Sequence, residues 1–299
     1  MRTHYEPFYK SKQVGFENKD SQPLDAYLEL TKDWVSNFPD FDIKTTSDGF
    51  HIIDESVHEV GAKARFADFY MSQLKNDHIV YVAPRVGYAG LSLAWLAKKY
   101  GKKLTLVMPA SKQVSHHQAL AIEYGAHPLF IRIAAMPNAN AIAKTYADSV
   151  GAEFAPFGLD HVNVYAGAVR ELQRLRPLLD GKRIWSVIST GVLSRSLQIA
   201  LPETEIVNVA VARNIQQGEL GRAHFTSYHK SFTQKSDIIP SEFRSVDTYD
   251  AKGWHYTQEY GKPGDYFFNV AGEPPQPSID VTTIDSYRDW GDKRDFENV

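Results

Sequence analysis

The chain has 299 residues, 43% hydrophobic and 23% charged, which suits one large or two moderate soluble domains with a substantial core. A formal net charge of −3 and a pI near 6.4 exclude a global electrostatic pull toward nucleic acid. The lack of cysteine excludes disulfides, thiolate zinc sites and cysteine nucleophiles, and the lack of a long apolar run or secretory leader makes a soluble cytoplasmic protein the expectation.

Periodicity predicts a helix over Leu24–Phe38 and short strands at Phe41–Thr45 and Phe50–Ile53. From Gly61 the pattern becomes regular. Helices are predicted at Ala64–Leu74, Gly90–Tyr100, Val114–Tyr124 and Ala139–Val150, alternating with strands at Ile79–Ala83, Leu104–Met108 and Pro128–Ile131. A second series gives helix Val162–Leu175, strand Ile184–Ile188, helix Val192–Ala200 and strand Ile206–Val211. Short apolar runs between helices of this length argue for βαβ units and a parallel sheet. Gly101 and Gly125 fall where helix C-caps belong. Arg213–Lys252 is polar and poorly periodic, and reads as a lid or an extended wrap. After Gly272 the chain turns Pro-rich and then acidic, as a disordered tail or an oligomer arm would. No dinucleotide or P-loop glycine pattern is present, which argues against an ordinary nucleotide-binding protein.

Three places carry chemistry-bearing residues. In Gly61-Ala62-Lys63-Ala64-Arg65, small residues precede Lys63 and an apolar helix follows it. Such a lysine is either solvated at a helix start or drawn inward, where desolvation lowers its pKa and frees the amine for imine formation. The turn Pro84-Arg-Val-Gly-Tyr-Ala-Gly90 links a strand to a helix. Its Arg85 is either an exposed arginine of a structural turn or a bidentate partner for a carboxylate or phosphate. Ser189-Thr-Gly-Val-Leu-Ser194 opens another helix. His116 and His117, one residue apart on a helix, point to different faces, so no metal site is expected.

The order of these motifs resembles the tryptophan-synthase-β-like (fold type II) pyridoxal-phosphate enzymes, over roughly Phe41 to Gly272. The nearest match is Val107-Met-Pro109, Ser111-Lys112 and Glu123-Tyr-Gly-Ala126, followed by Ala155-Pro-Phe157 and Ala166-Gly167. The resemblance implies α/β architecture: two three-layer α/β domains with mostly parallel sheets and the cofactor between them. Residues 1–65 and 171–299 would form the larger domain and 66–170 the smaller one, and the assembly would be a homodimer. It makes Lys63 the catalytic residue, holding pyridoxal 5'-phosphate as a Schiff base. It makes Arg85, Val86, Gly87 and Tyr88 the substrate-carboxylate turn, with Tyr88 at the position of an asparagine beside the cofactor ring.

The cofactor phosphate would lie on Ser189, Thr190, Gly191, Val192, Leu193 and Ser194, with Arg195 as an unusual further contact. That loop looks like the Thr-Gly-Ser-Thr loop of the aminocyclopropane-carboxylate deaminase and D-cysteine desulfhydrase branch. Thr248-Tyr-Asp-Ala-Lys252 resembles a Tyr-x-x-Lys segment, and Asp265–Gly272 resembles the strand that brings a threonine to the pyridine nitrogen. Val270 stands in the threonine's place, so either Asn269 takes that role or the ring nitrogen is unsupported. The implied activity is lyase, deaminase, replacement or decarboxylation chemistry at the Cα or Cβ of an amino acid or amino-acid-like group. Two alternatives stay open. One is an amino-acid adduct of a nucleotide or modified DNA base, as in viral thymidine hypermodification, for which Arg85, Lys98, Lys99, Lys102 and Lys103 are either phosphate contacts or a solvated helix end. The other is a non-catalytic member that keeps the fold as a binding or oligomer scaffold.

Overall fold

Alternating apolar runs and helices fold into two sheets flanked by helices. The computed structural model describes residues 9–10, 22–111, 113–132, 135–211, 221–280 and 284; Lys112, residues 213–220 and most of the tail after 280 lie outside them. In chain order the elements are β1 (Tyr9–Lys10), α1 (Leu24–Leu30), β2 (Ile43–Thr45), β3 (His51–Asp54), α2 (Ala62–Gln73), β4 (His78–Val82), α3 (Tyr88–Lys99), β5 (Lys103–Pro109), α4 (His116–Glu123) and β6 (His127–Ile131). They continue as α5 (Met136–Ser149), β7 (Glu153–Phe154), α6 (Val162–Leu172), α7 (Arg176–Leu179), β8 (Arg183–Ile188), α8 (Val192–Ala200), β9 (Glu205–Ala210), β10 (His224–Ser227), α9 (Asp250–Tyr260) and β11 (Tyr266–Asn269).

The described residues divide into two units. The first holds those up to Phe66 and from Val162 to Glu273; the second holds those from Ala67 to His161 and from Pro274 onward. Helix α6 packs on α1 and α8 and so belongs to the first unit, whereas the sequence division placed residues 162–170 in the smaller domain.

The first unit carries a seven-stranded sheet of order β1-β10-β9-β8-β11-β3-β2, antiparallel only at its two outer pairs. Strands β3, β8, β9, β10 and β11 run parallel. Their C-terminal ends therefore share one edge, and Asn269 pairs in register with Asp54 there. Trp185, Ile52, Val207 and Phe267 are fully buried along the sheet, and Trp254 of α9 meets Phe50, Phe243 and Phe267 at ring separations of 5.5, 5.2 and 5.7 Å. Each such side chain contributes roughly 1.5–3 kcal/mol by leaving water. Trp185 also donates its indole N–H to Asp265 Oδ2 at 3.0 Å, so the burial strands no polar atom.

The second unit is built on an all-parallel sheet of order β6-β5-β4-β7. Ala139, Ala143 and Ala147 present a small-residue seam at i, i+4 and i+8, which lets α5 sit close on Val80, Val82 and Val107. The chain leaves β4 through β5 and β6 on one side and returns to its other side at β7. The end of β4, where the Arg85–Gly90 turn begins, is thus the switch point at which open α/β sheets bind ligands.

Elements that the sequence missed or mis-sized have identifiable causes. The predicted helix Leu24–Phe38 stops at Leu30 because the Thr31 hydroxyl bonds back to Tyr27 O at 2.9 Å and the Trp34 amide turns to Thr31 O. Within the segment predicted to wrap, β10 pairs with β9, and α9 forms despite an aromatic-rich, glycine-containing sequence of low helix propensity. Gly101 and Gly125 take positive φ of 64° and 101°, and the following amides close back on Ala97 O and Ala121 O, the C-cap geometry their positions predicted.

Candidate functional site

The chain enters α2 from the end of the sheet, and the Ala62 amide donates to Val270 O at 2.8 Å, just past β11. Lys63 is thereby carried on the first turn of α2 beside the strand ends of the first unit, with a half-buried side chain. Burial lowers its pKa to about 8, opposed by the charge of Asp250. Among the described residues no hydrogen bond engages the Lys63 ammonium. Lys252 is the contrasting case. Its pKa is also lowered to about 8 by burial, but the side chain is fully buried and donates to Ser231 O at 2.8 Å and Phe232 O at 3.3 Å.

Asp250, the first residue of α9, is completely buried, and among the described residues its carboxyl oxygens meet only the Val270 and Ala271 amides, in contacts short of full hydrogen-bond geometry. Burial pushes its pKa well above the usual carboxylate range, and the Val270 and Ala271 amides and the Lys63 charge only partly oppose this. Asp54 behaves in the opposite way. It too is completely buried, yet bonds from Lys44 Nζ at 2.6 Å, the Ser56 amide at 3.0 Å and Asn269 Nδ2 at 2.8 Å outweigh burial and hold its pKa down. The pKa values of two carboxyls of one site are thus driven apart, the pattern by which acid and base roles separate. Burial and the Asp250 charge raise the Tyr249 phenol pKa, with the Ser189 hydroxyl acting against them, so the phenol stays protonated at neutral pH.

The loop after β8 reaches α8 through Gly191, whose φ of +85° is left-handed and suits a residue without Cβ. The first-turn amides of α8 have no helical acceptor, and Ser189 and Thr190 stand half-buried before them. Ser194 is committed elsewhere: its hydroxyl oxygen accepts from Asn208 Nδ2 at 2.7 Å and Gln198 Nε2 at 3.1 Å, inside the fold. Arg195 is buried over the Tyr165 ring at 5.0 Å. Asn269 spends its amide nitrogen on Asp54 and on Arg244 O at 2.7 Å, and its buried Oδ1 has no partner among the described residues. Behind Lys63, the fully buried Arg65 grips Glu55 through Nε at 2.9 Å and Nη2 at 2.8 Å, and Glu171 through Nη1 at 2.9 Å. The Phe41 ring covers that guanidinium at 4.3 Å.

The Arg85–Tyr88 turn belongs to the second unit. Arg85 is exposed and donates to Gln113 O at 2.7 Å; Val86 and Gly87 are exposed, with Gly87 capping α3. Tyr88 is buried edge-on to His117 at 5.1 Å, and burial, with His116 beside it, lowers the His117 pKa to about 4. Gly90 lies close under β4, since a Cβ there would stand 3.1 Å from Ala83 Cβ. Of the lysines read as phosphate contacts, Lys99 pairs with buried Asp68 at 2.8 Å and Lys102 donates to Leu74 O and Asn76 O at 2.9 Å, so both are used within the unit. Among the described residues no group of His, Asp and Glu is placed to hold a metal, and no helix is long and apolar enough to cross a membrane.

Of the residues the sequence singled out, the fold brings Lys63, the Ser189–Ser194 loop and Asn269 to strand ends of the first unit. Sequence reasoning missed Asp54, Tyr249 and Asp250 as site residues. The only available signal for the last two was the Tyr-x-x-Lys match at Tyr249–Lys252.

No protein-family model and no curated protein matches the chain. Solved structures do. An ACC deaminase homologue superposes with TM-score 0.69 at 15% identity over 83% of this chain and 95% of its own. Threonine deaminase isoform 2 from Solanum lycopersicum gives 0.69 at 14% identity over 91% and 93%. A pyridoxal 5'-phosphate-dependent aspartate racemase gives 0.59 at 15% identity over 86% and 95%. The chain therefore has the fold type II architecture of pyridoxal-phosphate enzymes.

Proposed function

We propose, from the fold type II architecture this chain shares with those enzymes, that it binds pyridoxal 5'-phosphate through Lys63 and acts on an amino acid or amino-acid-like group. The observation that carries the reading is the pairing of an uncommitted Lys63 amine, lowered to about 8, with a fully buried Asp250 carboxyl that only two poorly aligned amides approach. A poorly satisfied buried polar group costs roughly 1–3 kcal/mol, so one kept beside a reactive amine calls for a ligand.

The residues fit each part of that cofactor. Lys63 would hold its aldehyde carbon, the first-turn amides of α8 with Ser189 and Thr190 its phosphate, and Asp250 its pyridine nitrogen. Asn269 Oδ1 is a second unsatisfied acceptor for the same nitrogen, in keeping with the role its sequence position suggested. Helix N-termini bind phosphate because exposed amides and the helix dipole both face the anion. When bound, the cofactor supplies an electron sink for a bond broken next to the substrate nitrogen. The chain supplies proton control. Lys63, once released, is a base or acid near Cα; Asp250 holds a proton for the ring nitrogen; Tyr249 presents a neutral phenol as donor.

The test is incorporation of pyridoxal phosphate, followed by visible absorbance, borohydride reduction and peptide mapping. The adduct is expected on Lys63 and absent in Lys63→Ala. Trapping should rise with pH and level off above about 8, because only the neutral amine adds to the aldehyde. Labelling of Lys252 instead, or no adduct in folded protein, would reject the reading and leave a retained scaffold. Deamination, elimination, replacement, racemisation and decarboxylation are then separated by product analysis, and sedimentation tests the homodimer.

A further inference from the structure

The first unit holds a cation that the proposed chemistry does not use. Residues Ile239–Ser245 and Glu273 line a cavity of about 560 Å³. Arg244 is exposed on it and makes one protein hydrogen bond among the described residues, Nη2 to Ser56 O at 3.1 Å. Its side chain packs against Gly272: a Cβ there would stand 3.0 Å from Nε, 3.1 Å from Arg244 Cβ and 3.2 Å from Nη2, so a larger residue would push the arginine aside. Two glutamates line the same cavity, yet neither pairs with Arg244. Glu242 accepts from the Ser47 amide and hydroxyl at 2.8–3.2 Å, and Glu273 accepts from the Asp247 amide at 2.8 Å. Ser245, another lining residue, keeps a buried hydroxyl with no hydrogen-bond partner among the described residues.

A guanidinium with its remaining N–H groups unspent, exposed on a cavity whose lining also includes Ser245, is a recognition site for a planar anion. The neighbouring glutamates decide which anion, since two carboxylates on the wall repel a phosphate dianion more than a single carboxylate. The cavity is also tied to the Lys63 neighbourhood. Asn269, bonded to Arg244 O, is bonded as well to Asp54, and Ser56 follows Asp54 by two residues.

We propose that Arg244 is the specificity residue of this site and that the substrate is an amino acid carrying a second carboxylate, held by the Arg244 guanidinium with Ser245 as supporting donor. The substrate assignment rests on the Lys63 reading; the carboxylate site does not. Calorimetric titration with glutarate, of the protein as purified, tests the site alone. Wild type binds glutarate, Arg244→Gln weakens that binding by roughly tenfold or more, and Arg244→Lys recovers part of it. No binding by wild type, or equal binding by Arg244→Gln with an unchanged melting temperature, overturns the proposal.

On cofactor-loaded protein, the absorbance change on adding L-glutamate or L-aspartate should occur at concentrations roughly tenfold below those for L-glutamine or L-asparagine. Arg244→Gln should erase that preference while the Lys63 adduct still forms. Equal response to acid and amide in wild type rejects the substrate assignment. Failure of the adduct rejects the Lys63 reading instead, and the glutarate titration still decides Arg244.

Discussion

Asp250 and Lys63 occupy one neighbourhood with opposed needs. Burial favours the neutral form of each, and each charge partly stabilises the other. Since the folded-state pKa of Asp250 lies above its unfolded value, the stability it contributes is complete at low pH. It is lost progressively as pH rises from near 4 toward the folded value. Asp250→Asn should therefore stabilise the unloaded protein at pH 7 by on the order of 1–3 kcal/mol, read as a higher melting temperature, with the gain shrinking toward pH 4. The same change should weaken pyridoxal-phosphate loading, because an amide cannot carry the proton for the ring nitrogen. Thermal melts at the two pH values check the first part, and a lower melting temperature at pH 7 would count against a poorly satisfied carboxyl. Lys63 was legible because its motif is local in sequence. Asp250 was not, since an aspartate at a helix start usually reads as a solvated N-terminal charge.

At the level of elements, α9 shows packing overriding propensity. Its sequence, Asp250-Ala-Lys-Gly-Trp-His-Tyr-Thr-Gln-Glu-Tyr260, holds a central glycine and three aromatic residues, and predicts no helix. The glycine is what lets the helix approach the sheet. A Cβ on Gly253 would stand 2.4 Å from Val187 Cγ2 and 2.9 Å from Phe267 Cε2, both in buried strands. Gly253→Ala is expected to destabilise by about 1–3 kcal/mol through overpacking, despite alanine's better helix propensity. Because α9 begins with Asp250, the substitution should also reduce cofactor loading. Urea titration reads the first effect and absorbance the second; a stabilised Gly253→Ala would show that the helix can move away from the sheet at little cost. By contrast, α8 was predicted with its observed bounds, since its apolar stripe and preceding glycine are both local signals.

For the whole molecule, each unit has its own sheet and its own buried cluster. Amide exchange should accordingly be slowest in β8 and β9 of the first unit and in β4 and β5 of the second, the longest strands that are paired on both sides. Hydrogen-exchange mass spectrometry checks this; fast exchange throughout either pair of strands would mean that the unit lacks an independent core. The sequence by itself determined the alternation of strands and helices, the parallel character of the sheets and the bounds of α8. These are set by periodicity and by residues close together along the chain. Only the tertiary structure decided that Asp54, Asp250 and Asn269 meet at one sheet edge and that Ser194 is spent inside the fold. It also decided that Arg244 packs against Gly272 and pairs with no carboxylate among the described residues. Each of those facts depends on which strand ends lie side by side and on which polar groups lose water there, and neither is written in local sequence.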